Sequence, residues 1–381
     1  MIKSIKPFKL GVIGGGVGSA IGYTHLSASQ IDHRFSVTAA CFSKSEETNK
    51  ATAVKWEVDN EHLYGHWEEL LENEKRNIDA VLIMTPTPLH YEQVMKALEM
   101  NYPVICEKPL ASSLEESKKI CELATTLNSF LAVTHNYTGY PMLRELQHMV
   151  QSGRLGKIHN IVIEMPQEGF ARLDAKGNKP KPQEWRLQDG EIPSVSLDLG
   201  THLQHMIYFL TGENPTDLVA EQSSSGWFPQ IIDDVSCIAK YASGMKSQMW
   251  YSKSALGYRN GLKVRVFGDQ GSAEWYQMSP EKLKTAFVDG EISTFDRGGK
   301  VEVANQERYT RFKAGHPAGF IEAFANLYVD IADQLSDYLE NNNKDSSWVY
   351  GEKQAMVGLN VFEAVKESAE SKKWIDLEKT L

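Results

Sequence analysis

Residues 8–22 read FKLGVIGGGVGSAIG. The apolar run at 8–13 has the length and composition of a short buried strand, and the glycines that follow cannot extend it. Glycine permits a tight bend and lets a backbone come close to a ligand, and the residues after Gly18 are compatible with a helix. A strand, a glycine turn and a helix in that order place free N–H groups and the positive end of a helix dipole where a pyrophosphate can sit. Gly14 and Gly16 fill the first two places of G-x-G-x-x-G, Val17 and Gly18 follow, and Ser19 stands at the third. The turn therefore reads as a dinucleotide-binding loop, with Gly14, Gly16, Val17 and Gly18 as candidate contacts.

The next 120 residues repeat the alternation. Apolar runs at 35–42, 78–86, 103–107 and 130–136 are separated by helical patterns at 47–55, around Trp67, at 91–100 and at 113–128. Continuous rather than alternating hydrophobicity marks strands buried on both faces, the pattern of a parallel sheet. Ser113 with Glu116 has the spacing of a capping box. The expected fold class is α/β, with an N-terminal doubly wound parallel Rossmann sheet over 1–135. From about 136 to 381 the sequence predicts an α+β domain with an open, largely antiparallel sheet, strands at 157–165, 234–244, 247–253 and 262–277, and helices at 319–341 and 351–371. Those last helices are expected to be able to return to the first domain. The run NNNKD at 341–345 reads as a solvated turn between them.

Bulk composition narrows the class of protein. The chain has 381 residues, 41% hydrophobic and 24% charged, with a formal net charge of −10. An acidic balance gives no basic face for nucleic acid, and no apolar run approaches a membrane span. The basic first residues lead directly into the first strand without a signal-peptide core. Cys41, Cys106, Cys121 and Cys237 show no CxxC spacing and lie in apolar surroundings. They read as reduced thiols, so a cytoplasmic location is expected.

Strand ends supply the candidate site. After the second strand, CFSKSEE offers Ser43 and Lys44, with acid only from Glu46. An acidic residue there would suit the 2′-hydroxyl of NAD, whereas hydroxyl and cation suit a 2′-phosphate. NAD or NADP is the expected cofactor, with a lean to NADP. TPTPLH at 85–90 and CEKP at 106–109 fall at the carboxyl ends of later strands, where open parallel sheets bind ligands. Thr85, Pro86, His90, Glu107 and Lys108 are thus cofactor-side candidates.

Together with these motifs, DLGTH at 198–202 makes the chain resemble the glucose–fructose oxidoreductase / inositol dehydrogenase / MocA-like oxidoreductases. HNYTGYPM at 135–142 and AGHPAGFIEAFANLY at 314–328 resemble an inositol 2-dehydrogenase-like branch. The resemblance spans essentially the whole chain. It implies that Lys108 contacts substrate and nicotinamide, that Asp198 and His202 complete the catalytic group, and that the second sheet joins subunits into a homodimer or homotetramer. Ser19 and the stretch GEIPSVSLD at 190–198, which lacks a glycine-rich approach to the aspartate, depart from the family pattern.

The segment at 196–212 reads as one helix, with Asp198, His202 and His205 at i, i+4 and i+7 on one face. Removing hydride from a secondary alcohol also requires a base for the hydroxyl proton, and a histidine beside a carboxylate fits that task. His202 is expected as general base, Asp198 as its orienting or substrate-binding partner, and Lys108 as the clamp on the alcohol oxygen. Histidine and carboxylate at this spacing are also metal ligands, but the dinucleotide loop already supplies redox chemistry, so no metal is expected. Asn136, Tyr137, Trp185, Arg186 and His316 are further substrate candidates, and His205 a pocket-lining one. The expected activity is NAD(P)-dependent hydride transfer to or from a sugar, sugar derivative or cyclitol. A redox-neutral glycosidase of the same fold and a non-catalytic sugar sensor are the alternatives.

Overall fold

The computed structural model describes residues 6–179, 181–342, 346 and 348–377. Residues 1–5 and, within the 341–345 run, residues 343–345 lie outside the described residues. The chain forms two compact units, one of residues 1–139 with 320–356, the other of 140–319 with 357–381.

In the first unit β1 (Phe8–Gly14) leads through the glycine loop into α1 (Ala20–Ile31). β2 (Phe35–Cys41), α2 (Glu46–Lys55), α3 (Trp67–Asn73), β3 (Ala80–Met84), α4 (His90–Glu99), β4 (Val104–Glu107), α5 (Leu114–Leu127) and β5 (Leu131–Thr134) follow. All five strands are parallel, in the order β2-β1-β3-β4-β5. Chain order reverses at β1/β3, the kind of switch point at which open parallel sheets bind ligands beyond the carboxyl ends of their strands. Every residue of β3 is buried, which is why its sequence, AVLIM, shows no alternation. Leu10 and Val12 face one side of the sheet, in the core with Leu26 of α1, while Gly11 faces Ile78 and Leu70 on the other. Ser113 caps α5 by accepting from the Glu116 amide at 3.3 Å, and Glu116 reaches back to the amide of Ser112 at 2.9 Å. The expected cap is present, displaced by one residue on its return bond.

In the second unit α6 (Pro141–Gln151) and β6 (Ile158–Pro166) precede a long irregular segment, and α7 (Thr201–Thr211) follows it. β7 (Pro215–Ser223), β8 (Asp234–Tyr241), β9 (Lys246–Ser252), β10 (Lys263–Gly268), β11 (Gly271–Tyr276), β12 (Leu283–Phe287) and β13 (Ile292–Phe295) come next. α8 (Phe320–Leu339) belongs to the first unit, and most of α9 (Glu352–Ser371) to the second, which ends in β14 (Ile375–Asp376). The nine strands run in the order β13-β12-β11-β10-β6-β9-β8-β7-β14, antiparallel except for the β6–β9 pair. In β8 the buried Val235, Cys237, Ala239 and Tyr241 alternate with Ser236, Ile238 and Lys240, so one face is core and the other is open. α8 closes the core of the first unit: Phe324, Tyr328, Ile331 and Leu335 are buried with Leu10, Leu26 and Phe35. A fully buried side chain of this size contributes roughly 1.5–3 kcal/mol, so this distant helix is a main support of the first sheet.

Candidate functional site

The glycine loop is built around backbone contacts that exclude side chains. Gly14 has φ +88°, and a Cβ on it would lie 2.8 Å from both the Met84 carbonyl carbon and the Thr85 nitrogen. A Cβ on Gly22 would lie 2.3 Å from the Gly15 oxygen, so α1 crosses the loop at Gly22 rather than at the third motif position. Ser19, at that third position, is the N-cap of α1, and its side chain accepts from the Gly22 amide at 3.1 Å. The departure from the glycine pattern is therefore a helix cap. The Val17 amide donates to Thr52 Oγ1 of α2 at 2.9 Å. A Cβ on Gly16 would come within 3.6 Å of the Ser43 Cβ, so the structure brings the loop and the tip of β2 together. Ser43 Oγ accepts from the Ser45 amide at 3.1 Å, and Lys44 is exposed. Glu46 is held by Lys50 at 2.5 Å.

The turns after β3 and β4 are braced by one ring. His90, 1% exposed, places Nε2 2.8 Å from the Thr85 carbonyl and Nδ1 2.8 Å from that of Pro109. Burial pushes its pKa down, against two carbonyls that favour the charged ring. A neutral imidazole donates from one nitrogen at a time, so the brace holds one full hydrogen bond at any moment. Thr85 Oγ1 donates to Gln93 Oε1 at 2.6 Å, fixing the first of these turns.

The E-K-P triplet splits its side chains. Glu107 is buried, and its Oε1 accepts from His25 Nε2 at 3.0 Å and from Thr134 Oγ1 at 2.6 Å. His25 Nδ1 lies 2.6 Å from the Tyr328 hydroxyl. If the ring donates from Nε2, Nδ1 is the acceptor and the Tyr328 O–H the donor. Burial pushes the Glu107 carboxyl up, but the His25 hydrogen bond, the His25 and Lys108 charges and the Thr134 hydroxyl together bring it below the ordinary value. Glu107 thus turns inward while the half-buried Lys108 follows it at the strand end. Asn136 and Tyr137 lie in a buried 3-10 turn just after β5, with the Tyr137 ring 5.9 Å from that of Phe320.

In the second unit the expected single helix over 196–212 is modified. Residues Ser196–Gly200 form a π-helical turn ahead of α7, so Asp198 does not keep the α-helical phase of His202 and His205. The turn is closely packed. A Cβ on Gly200 would sit 2.6 Å from Phe362 and 3.1 Å from Tyr251, and Ser196 Oγ is 2.9 Å from the Tyr251 hydroxyl. His202 and His205, on α7, are buried.

Asp198 is held by two cations. Arg186 Nη1 lies 2.6 Å from Oδ2, and Lys253 Nζ pairs with the same oxygen. The Arg186 guanidinium stands 4.4 Å from the Trp185 ring, on the 3-10 turn Glu184–Leu187. Trp185 and Arg186 are thus joined to Asp198 as one group. His316 lies on an exposed loop beside Phe312, with its carbonyl accepting from Arg297. Sequence reasoning missed Lys253 and Gly22. Both left a signal: a lysine directly after a strand, as at Lys108, and a glycine inside a helix, which is costly without a packing reason.

Comparison with known proteins agrees with the fold. Residues 8–135 match the oxidoreductase family with an NAD-binding Rossmann fold, and residues 143–274 match the GFO/IDH/MocA C-terminal domain. The uncharacterized oxidoreductase YfiI of Bacillus subtilis is 31% identical over 86% of this chain and 85% of its own length. The levoglucosan dehydrogenase of Pseudarthrobacter phenanthrenivorans is 24% identical over 83% of this chain and 84% of its own. An Azotobacter vinelandii inositol dehydrogenase homolog, solved with NADH and myo-inositol, superposes with a TM-score of 0.88 at 27% identity, covering 97% and 98% of the two chains. The chain belongs to the Gfo/Idh/MocA family of oxidoreductases, and its first sheet is the family's NAD-binding Rossmann fold. By family it is an NAD-binding oxidoreductase.

Proposed function

We propose that this protein oxidises a secondary alcohol of a sugar, sugar derivative or cyclitol to the ketone, with NAD or NADP as hydride acceptor. The observation that carries the proposal is the tight glycine cradle between β1 and α1 at the β1/β3 switch point, where a Cβ on Gly14 or Gly22 would strike backbone and where Gly16 lies close to Ser43. The cradle fits a dinucleotide, with Gly14, Gly16, Val17 and Gly18 along the pyrophosphate, Ser43 and Lys44 at the ribose, and Thr85, Pro86 and the backbone of Glu107 and Lys108 nearer the nicotinamide. By charge the β2 tip favours NADP, since the next acid along the chain, Glu46, is paired with Lys50. The Azotobacter vinelandii relative holds NADH.

Bound nicotinamide would supply the acceptor for a hydride. His202 takes the hydroxyl proton as the C–H bond breaks, so that alcohol becomes ketone with release of one proton and transfer of two electrons. Lys108 holds the oxygen as its charge develops, and Asp198 orients the histidine or a substrate hydroxyl. Asn136, Tyr137, Trp185, Arg186 and His316 are proposed to bind substrate. The named relatives act on or bind levoglucosan and myo-inositol, which supports this substrate class. His90 serves as the brace described above.

Ile238, 44% exposed on the open face of the second sheet, with Val162, Val219 and Trp250 nearby, supports pairing with a second copy through that face. Four free cysteines support a cytoplasmic location. Among the described residues no helix is long and apolar enough to cross a membrane.

The test is a panel of polyols and sugars with each coenzyme, followed by the absorbance of reduced nicotinamide. A Gly16→Asp variant should bind NADH at least about tenfold more weakly, a loss of roughly 1.4 kcal/mol. Folded protein that reduces neither coenzyme with any alcohol, and whose Gly16→Asp variant binds NADH as well as wild type, would sink the proposal.

A further inference from the structure

Two of the cations that pair with Asp198, Arg186 and Lys253, differ in standing. Lys253 directly follows β9, and its amide donates to the Asp233 carbonyl at 2.8 Å while its own carbonyl accepts from the Phe170 amide at 2.7 Å. Its side chain is 12% exposed and lies 5.4 Å over the Phe170 ring. Asp233 is itself fully buried and accepts from the Ser225 and Gly226 amides and from Ser254 Oγ. Lys253 is thus fixed by its backbone on both sides. Arg186 sits on a short 3-10 turn with exposed neighbours Gln183, Glu184 and Gln188, its carbonyl accepting from Ser194 Oγ at 3.1 Å and its side chain 30% exposed. Few buried contacts and exposed backbone are the marks of a segment that opens at low cost.

A largely buried carboxylate, here 18% exposed, does not tolerate loss of its last cation. One fixed cation makes the other dispensable. We propose that Lys253 is the standing counter-ion of Asp198 and that Arg186 is its exchangeable one, so that Arg186 can leave Asp198 to grip a hydroxyl or acidic group of the substrate. Lys253 is then a positioning residue: it acts by freeing Arg186. The substrate-gripping half rests on the proposed dehydrogenase function, whereas the ion-pair half does not.

The ion-pair half is tested without turnover, by hydrogen exchange of the amides at 184–187 in the folded full-length chain. In Lys253→Met, Arg186 becomes the only one of the two cations left on Asp198, and exchange at 184–187 should slow by about threefold or more as the turn opens less often. Lys253→Arg should exchange at the wild-type rate, and Asp198→Asn should exchange faster. A merely structural lysine predicts the opposite sign, so faster or unchanged exchange in Lys253→Met overturns the inference.

The second half is read from KM on myo-inositol, or on the panel member with the highest kcat/KM. Arg186→Gln should raise KM in the wild-type background and add little to the KM already raised in Lys253→Met. Additive effects on KM would overturn the gripping role. Absence of any turnover by wild type would count against the dehydrogenase reading and leave the exchange result to stand by itself.

Discussion

The carboxylate of Glu107 lies 3.0 Å from Nε2 of His25, with the Tyr328 hydroxyl 2.6 Å from the other ring nitrogen. Three elements far apart in sequence, α1, β4 and α8, meet through these three side chains at the end of the strand that Lys108 follows. Removing the His25 donor leaves the buried Glu107 carboxylate short of compensation. His25→Leu should therefore destabilise the first unit by about 3 kcal/mol at neutral pH. Tyr328→Phe, which removes a neutral donor, should cost about 1 kcal/mol. The pH dependence has a definite sign. In wild type the Glu107 value is lowered, so its stabilisation is present above the ordinary 4.5 and is lost as pH falls through the folded value. In the leucine variant burial acts unopposed by His25, and the carboxyl gains stability by taking up a proton. Urea unfolding from pH 7 to 4 should show the gap between the two proteins starting to close above 4.5, where the variant's raised carboxyl takes up its proton, and continuing to close below it as the wild-type carboxylate is protonated. A constant gap would mean that Glu107 is not ionised against His25.

Gly22 offers a second test, since its role is close approach and not motif identity. A methyl group there meets the Gly15 backbone at 2.3 Å, whereas at Gly18, despite φ +92°, it meets nothing within 4 Å. Gly22→Ala should cost more than about 2 kcal/mol and weaken NADH binding, because backbone cannot move aside as a side chain can. Gly18→Ala should cost about 1 kcal/mol, the ordinary penalty for a left-handed residue. Ser19→Ala should cost about 1 kcal/mol through loss of the cap. Fluorescence titration of NADH with urea unfolding distinguishes the three. If Gly22→Ala were the mildest, the crossing point of α1 would be misplaced.

What the sequence made legible was whatever is local. The unbroken apolar run in β3 and the Ser113 cap follow from adjacent residues, and so does the glycine loop. The π-helical turn at Ser196–Gly200 was not legible, since the side chains packed against it, Phe362 and Tyr251, reach Gly200 only in the folded unit. Lys253 was hidden for the same reason, since its partner is set by β9 ending opposite the turn that holds Asp198. The β6–β9 parallel pair and the strands β7, β12 and β13 also escaped, being short or weakly patterned. His25 in the sequence is one histidine among small and apolar residues, indistinguishable from a core position.

Coenzyme choice should turn on Ser43. Its Oγ already accepts from the Ser45 amide at 3.1 Å, and an aspartate can keep that bond while adding a second oxygen. Ser43→Asp should therefore fold normally and shift the affinity ratio toward NAD by about tenfold or more, through repulsion of a 2′-phosphate. Lys44→Ala should shift it the same way by less. Equal ratios in wild type and Ser43→Asp would place ribose selection on another segment.

The proposed catalytic group makes the most demanding prediction. Lys108, Asp198 and His202 are taken to serve one transition state, in which the alcohol loses its proton to His202 while negative charge grows on the oxygen that Lys108 holds. Replacing Lys108 by Met removes an electrostatic donor and should lower kcat by about 10²–10³. Replacing His202 by Ala removes the base and should lower it by about 10²–10⁴. Coenzyme affinity and unfolding midpoint, measured for each variant, separate these losses from misfolding. His202 is buried, so His202→Gln serves as a second variant that fills the space without supplying a base. In both histidine variants the low-pH fall in kcat/KM that belongs to the base should disappear, leaving a flatter profile near neutrality. The double variant Lys108→Met/His202→Ala should cost far less than the product of the single losses, because groups that act on one transition state are not independent. A histidine variant that folds, binds NADH and turns over near the wild-type rate would remove His202 from the proton transfer. Losses that multiply fully in the double variant would separate Lys108 from it, and the lysine would then act on binding alone.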